Sequence, residues 1–458
     1  MRAHKPPKGG LLILLALAAG ALCSCAGPST GVEKKLNTLI AAQNYPAADS
    51  YLDHVKYIQF GKKNAVLFYL DKGAIEHYGG QYSQSDQDLA TAEHRMDDLY
   101  TKSVTKMAGM LIFNDNTMDY AGAPFEHVLE HILRSLNYAL QGDIDDALVE
   151  SRKVELFLDN LNANAGSANI YKDDAFARYL DALYYSDEGM NDDARISMDA
   201  AKKAYGWYAA DYNTPMPEFP PLDQDQITPN TGELVFIHYN GVAPRKISKT
   251  IQIAWNDALV ALRQDRQEEN RDPRVANALY AGFFGNAITV AYPEYVQDRF
   301  SIVSSDVLVD SQPAVGTQLA EDISAIAFKT LRDNKALIMT RAIARATVKF
   351  ILAKTAADAE AGYCDKKFGT GNLGDISCRA LGRGVAFGAA AGTEVADTRC
   401  WTTLPSQIRI ARLELPAGKH DVSVQFRDAA GALVETRTFK DVTINPGKRT
   451  YLAFRTAL

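Results

Sequence analysis

Cysteine and tryptophan are both scarce in this chain, five and three among 458 residues. No C-x-x-C pair occurs, which excludes a cysteine-rich zinc module and a thioredoxin-type redox pair. Positive charge is not in excess either: the formal net charge is −7, which argues against nucleic acid or an anionic membrane surface as the main partner. After Gly31 no apolar run approaches the ~20 residues that a helix needs to span a bilayer, so no membrane-crossing helix is expected there. The G-x-S-x-G elbow and the phosphate-cradling G-x-x-x-x-G-K-[ST] loop are also missing. Local sequence therefore assembles no nucleophile, base and oxyanion site, and no cofactor is expected.

What is present starts at the N-terminus. Arg2, Lys5 and Lys8 precede an apolar stretch from Leu11 to Ala21 that is too short to cross a membrane and has the form of a secretion signal. It closes on Leu22-Cys23-Ser24-Cys25, which is similar to a bacterial lipobox with Leu at minus three and a small residue at minus one. Cys25 is the expected lipidated residue; Cys23 fits less well because bulky Leu22 precedes it, and an ordinary signal peptide is the alternative. By resemblance to Gram-negative lipoproteins, Ala26 in the next position implies sorting to the outer membrane, facing the periplasm. Membrane attachment is then through acyl chains alone. In such an oxidising compartment Cys364, Cys378 and Cys400 are disulfide candidates. Cys364 with Cys378 is the first choice and Cys378 with Cys400 the alternative.

Residues 33–212 are rich in helix formers and repeat a frame marked by Gly-x-x-x-x-Ala. Gly142 with Ala147 and Gly189 with Ala194 superpose directly, each preceded four residues earlier by a tyrosine, Tyr138 and Tyr185. Gly80 with Ser85 follows the same frame, and Gln43 with Ala48 does so more weakly. The pattern resembles the tetratricopeptide repeat, in which small residues let antiparallel helices approach closely. Stacked pairs of this kind bury one continuous core and commonly offer a concave binding surface. The tyrosines of this region, among them Tyr78, Tyr171, Tyr205 and Tyr208, suit either core packing, the simpler reading, or an exposed groove.

Pro215, Pro217, Pro220, Pro221 and Pro229 interrupt the helical pattern and set a linker at 213–232. Beyond it, 234–239, 250–255, 290–296 and 301–309 read as strands, and 256–267, 273–284 and 322–354 as helices. The last segment alternates apolar and polar residues over 408–415, 421–426, 434–444 and 449–454, separated by Gly- and Pro-containing turns. The expected fold class is α+β and multidomain. Residues 1–24 are the signal, 25–32 a lipidated linker, 33–212 the helical repeats and 213–232 the Pro-rich linker. Residues 233–400 form a mixed α/β domain and 401–458 an antiparallel β module.

Three local motifs invite chemistry. His127-x-x-Glu130-His131 has the H-x-x-E-H form in which two histidines one helical turn apart bind zinc, but the frame puts it inside a repeat helix, and no metal is expected. Gly369-x-Gly371-x-x-Gly374 has the dinucleotide-binding spacing but lies between two cysteines and follows no strand, so a closed turn is expected. Gly384, Gly388 and Gly392 form a small-residue ridge, read as close helix packing within the fold.

Phe125-Glu126, Leu136-Asn137-Tyr138-Ala139-Leu140, Asp173-Asp174-Ala175-Phe176-Ala177-Arg178, Phe236-Ile237-His238-Tyr239-Asn240-Gly241 and Ala396-Asp397-Thr398-Arg399 carry a wider likeness. Together they resemble a family of uncharacterised, repeat-containing outer-membrane lipoproteins of bacteria. That resemblance implies a periplasm-facing protein without known enzymatic activity; the lipid address, the repeats and the missing catalytic motifs point to a scaffold or adaptor for a protein partner in the cell envelope. The alternative is a cell-wall or polysaccharide-processing enzyme that uses acidic residues of the middle domain.

Overall fold

The computed structural model describes residues 27–104, 118–165, 171–220, 222, 230–254, 287–392 and 394–457. Cys25 and the signal, Pro221, Pro229, Trp255 and the helices expected at 256–267 and 273–284 lie outside the described residues.

The N-terminal half is four helical hairpins in succession: α1 (Thr30–Ala41) with α2 (Tyr45–Val55), α3 (Ala65–Tyr78) with α4 (Tyr82–Val104), α5 (Pro124–Gln141) with α6 (Ile144–Ala165), and α7 (Ala175–Asp187) with α8 (Asn191–Tyr212). The frame read from the sequence sits at one structural place in all four. Gly80, Gly142 and Gly189 each take the turn between the two helices of a hairpin with φ of 75°, 83° and 73°, and Gln43 does so at 55°. Left-handed backbone there is what favours glycine, because a Cβ crowds the neighbouring carbonyl. Five residues on, Ala48, Ser85, Ala147 and Ala194 are all buried, where a larger side chain would push the paired helices apart.

The C-terminal half contributes two four-stranded sheets. In the first, β1 (Thr231–Asn240) is flanked by β10 (Arg449–Thr456), which runs parallel to it, and by β7 (Gln407–Pro416); β6 (Gln318–Asp322) is the far edge. In the second, β4 (Ile302–Val309) lies between β5 (Gln312–Gly316) and β8 (Gly418–Asp428), with β9 (Leu433–Ile444) beyond β8. The period-two alternation along β1 explains the layering. Val235, Ile237 and Tyr239 join the core of the helices, whereas Leu234 and Phe236 join Val307, Val424 and Phe426 of the second sheet. Helices, first sheet and second sheet thus stack as three layers.

This corrects two expectations. Residues 401–458 are not a separate antiparallel module: β7 and β10 enter the first sheet, β8 and β9 the second, and β1 pairs with β10 in parallel. The alternating pattern identified the strands but not all their partners: β7 and β10 pair with β1 some two hundred residues away, and β8 with β4 over one hundred residues away. The Pro-rich linker is also no free tether over its described length. Thr214 is buried, and Phe219 stacks on Tyr179 with ring centroids 3.7 Å apart.

A third element stands apart from these layers. The hairpin of β2 (Arg245–Ala254) and β3 (Ala287–Val296) packs through Ile288 and Val290 on Ile343 and Phe350 of α10 (Lys335–Phe368), a long helix that follows α9 (Ile323–Asp333). Helix α11 (Leu373–Gly392) folds back along α10. Cys364 and Cys378 are bonded to each other at the closed end of this helical hairpin, and Cys400 is free and buried. The Gly369 to Gly374 segment is the turn between the two helices, with Gly369 and Gly371 in left-handed conformation. The glycine ridge differs from expectation. An added Cβ at Gly384, Gly388 or Gly392 would meet nothing within 4 Å, so the ridge faces outward; Gly382 is the one pressed against α10, at Glu360.

Candidate functional site

The inner helices of the second, third and fourth hairpins are almost wholly buried: in α5, fourteen residues from Phe125 to Ala139 are buried, and α3 and α7 are similar. One side of this layer meets the outer helices, and the other meets the first sheet. The face that a helical repeat would offer to a partner is therefore where the polar side chains of this chain converge, and three buried networks fill it.

The first centres on Glu233 of β1. Arg412 of β7 donates to both of its oxygens at 2.7 and 2.9 Å, and Arg449 of β10 donates to one at 2.6 Å. Arg449 also reaches Asp187 of α7 at 2.6 Å, Tyr451 donates to Asp187 at 2.8 Å, and Arg412 meets the Tyr179 hydroxyl at 3.0 Å. Burial favours the neutral form of a lone charge, but paired charges with filled hydrogen bonds persist. The second network runs through four elements. The Tyr239 hydroxyl donates to His77 Nε2 at 2.8 Å, and His77 Nδ1 donates to Asn137 Oδ1 at 2.7 Å. Asn137 then donates to Ser85 Oγ and Ser85 to the Gly73 carbonyl. His77 is neutral in this chain of bonds, its pKa pushed down to about 4 by burial. Nearby, Thr403 donates to Asp71, Trp401 Nε1 donates to Thr403, and the Trp401 backbone N–H donates to Glu126. Burial pushes the Asp71 carboxyl up to about 8.

The third network pairs two acids. Asp174 accepts from the hydroxyls of Tyr171 and Tyr208 and from the Ala177 N–H, capping α7. Glu321 lies against Asp174, and burial raises its pKa well above the usual carboxylate range. Its two oxygens have no donor among the described residues. A protonated Glu321 sharing its hydrogen with Asp174 accounts for both facts, since two charged carboxyls cannot stay in contact. Tyr205 donates to the Ala320 backbone beside them.

The H-x-x-E-H motif lies on α5 but does not converge as a zinc site. His127 Nε2 donates to the Ala121 carbonyl and its ring stacks on Phe157, which turns it away from His131. His131 instead faces Glu130 and Glu150, at 3.2 and 3.4 Å. Burial opposes charge on His131, but these carboxylates raise its pKa. Donor atoms of Glu93, His131 and Glu150 lie within 4.8 Å of one another, spacing that suits a metal ion. Arg134 and Lys153 take that place, binding both Glu93 and Glu150. The arrangement is a charge-balanced ion-pair cluster between α4, α5 and α6. The cysteines of the other cluster with metal-like spacing, Glu360, Cys364 and Cys378, are committed to the disulfide.

Two lone histidines are structural. His238 is held between Ser305 and Thr456 in the inter-sheet core, and His420 bridges Asp310 and the Pro416 carbonyl. A cleft of about 300 Å³ opens beside Tyr295, Phe328 and Met339, lined mostly by carbon. Of the repeat-marking residues, Tyr138 and Tyr185 pack against the common core, and Tyr138 also donates to Asp86. Sequence reasoning missed Arg412, Arg449, Glu233 and Asp187. Charged residues at inward positions of alternating strands were the available signal: Glu233 precedes a run of buried β1 residues, and Arg412 interrupts one in β7.

No known protein family, no curated protein and no solved structure matches the chain.

Proposed function

We propose that the chain is a lipid-anchored periplasmic scaffold of the cell envelope, held at the outer membrane through Cys25, whose tetratricopeptide-like hairpins bind another envelope protein. The inner face of the hairpins is already engaged by the chain's own first sheet, so the partner surface of this reading is the outer one. The observation that carries it is a repeated apolar position on the outer helices. Val149 and Ile196 stand at the same place in the frame, seven residues after Gly142 and Gly189, and are 56% and 61% exposed. Leu156, two turns further along α6, is 64% exposed. Apolar side chains this open at equivalent places cost solubility and suit a contact.

The test is a photocrosslinking side chain placed at Val149, at Ile196 and, as a control on the same frame, at Gln87, in cells that process the native chain. One shared adduct from Val149 and Ile196, lost in a Leu156→Glu background, supports the reading. Adducts absent from both sites while Gln87 captures a protein would end it. The alternative, an enzyme acting on cell-wall or other polysaccharide, has the Asp174–Glu321 pair in its favour. Both acids are buried beneath Tyr171 and Tyr208, so a substrate has to open that packing. Murein or glycan cleavage by purified chain, abolished in Glu321→Gln with unchanged melting, would establish it.

A further inference from the structure

The helical hairpin α10–α11 differs in charge and polarity from the rest of the molecule. Lys335 to Gly392 holds nine Lys and Arg against four Asp and Glu, net +5, in a chain whose formal net charge is −7. Helix α11 buries one side, Asp375 and Gly382, against α10. Its opposite side is open and apolar along the whole length: Leu373 is 81% exposed, Ile376 57%, Leu381 72% and Val385 45%, and the outward glycine ridge continues the strip. At 1.5 Å per residue this strip is roughly 30 Å long. Exposed Lys366 and Lys367 stand at the closed end of the hairpin, Arg383 is exposed on α11 itself, and Lys354 is exposed on α10. The disulfide between Cys364 and Cys378 holds that end together.

We infer that the outward face of α11 is a docking surface for an anionic phospholipid membrane, on which the helix lies flat with its apolar strip among the acyl chains. An apolar face bordered by cations is the composition of helices that lie in a bilayer interface, and clustered Lys and Arg are drawn to anionic headgroups. Charge decides against the same face of a second copy as the occupant, because two basic faces repel each other. No helix of the described residues is long and apolar enough to cross a membrane. The inference does not depend on lipid at Cys25 or on the scaffold reading.

The described fold begins at Gly27, so a chain made from Ala26 onward keeps all of it and has no acyl group to confuse the assay. It is sedimented with vesicles of phosphatidylethanolamine and phosphatidylglycerol, and with phosphatidylcholine vesicles, at low and physiological salt. The chain is expected to bind the anionic vesicles, with Leu373→Asp plus Leu381→Asp weakening binding about tenfold or more. Lys354→Glu with Lys366→Glu and Lys367→Glu removes the preference for the anionic lipid. All five positions are exposed, so melting temperature stays unchanged and loss of fold is not the cause. A Leu373→Trp variant shows blue-shifted emission quenched by brominated lipid on binding. Failure to sediment with anionic vesicles at low salt overturns the inference, as does binding unaffected by the substitutions. Dimers that the Leu373→Asp, Leu381→Asp variant abolishes, without vesicle binding, overturn it in favour of a second copy.

Discussion

Glu233→Gln is the sharpest test of how the helices and sheets are joined. The substitution keeps the size of the side chain and removes one charge from the centre of a network that spans β1, β7, β10 and α7. Arg412 and Arg449 have side-chain exposures of 2% each, so neither can recover its lost interactions from water. Breaking a buried ion pair by removing one partner costs about 3 to 5 kcal/mol. Arg449 retains Asp187 at 2.6 Å, which leaves Arg412 as the stranded charge. At roughly 2 cal/mol/K per residue, the unfolding entropy of a cooperative unit this large is about 0.9 kcal/mol/K, so Tm falls by about 3 to 6 °C. Differential scanning calorimetry at neutral pH reads this directly. The same physics predicts an asymmetry: Glu233→Gln, Asp187→Asn, Arg412→Met and Arg449→Met combined cost less than the sum of the single changes, because no charge is left stranded. A drop below about 1 °C for Glu233→Gln, or strict additivity in the combined variant, would refute the claim that this network locks the layers together.

Asp71 supplies a pH dependence. Burial lifts its pKa from 3.8 to about 8, so the fold holds this proton more tightly than the unfolded chain does. The stability linked to it is fully present below about pH 4 and is lost as pH rises towards about 8; Asp71→Asn, which can still accept from Thr403, flattens that decline in urea titrations at a series of pH values. Two glycine substitutions separate frame from surface. A Cβ on Gly73 would lie 2.5 Å from Leu89 Cγ, so Gly73→Ala destabilises by about 1 to 3 kcal/mol, whereas Gly384→Ala, facing open space, is neutral or stabilises by up to about 1 kcal/mol. Thermal melts of the two variants test the pair. Reducing the Cys364–Cys378 bond, which closes a 14-residue separation, removes about 3 kcal/mol of chain-entropy constraint. The effect is local, so limited proteolysis between Phe368 and Leu373 accelerates while the main melting transition stays in place.

How much of this was legible in the sequence depends on the range of the interaction that fixes each feature. The marking glycines were legible because a left-handed turn between adjacent helices is a local demand, met within a few residues of Gly80, Gly142 and Gly189. The strands of the last segment were legible for the same reason, since alternation is written along each one. Their assignment to sheets was not, because nothing near Arg449 announces that it lies beside Glu233. Arg412 and Arg449 acquire their partners Glu233 and Asp187 only once the sheet is assembled and the helical layer is set against it. The glycine ridge failed in the opposite direction: small residues permit close approach, but the sequence does not say whether a neighbour is there, and at Gly384 none is.

On the proposed reading, the two faces of the helical layer exchange their usual roles. A solenoid of helical hairpins ordinarily keeps its inner surface for a partner and its outer surface for solvent. Here the inner surface holds His77 and Tyr179 in bonds to Tyr239 and Arg412 of the chain's own strands, and a partner there would have to displace buried, hydrogen-bonded polar groups. Such displacement costs more than a transient contact returns. Binding then falls, on this reading, to outward side chains such as Val149, Leu156 and Ile196 on the hairpins and the basic, apolar strip of α11. These lie on different elements and differ in chemistry, one set neutral and the other ringed by cations. A single substitution on either is therefore expected to remove one contact without the other, and the two can be assayed independently in the same folded chain.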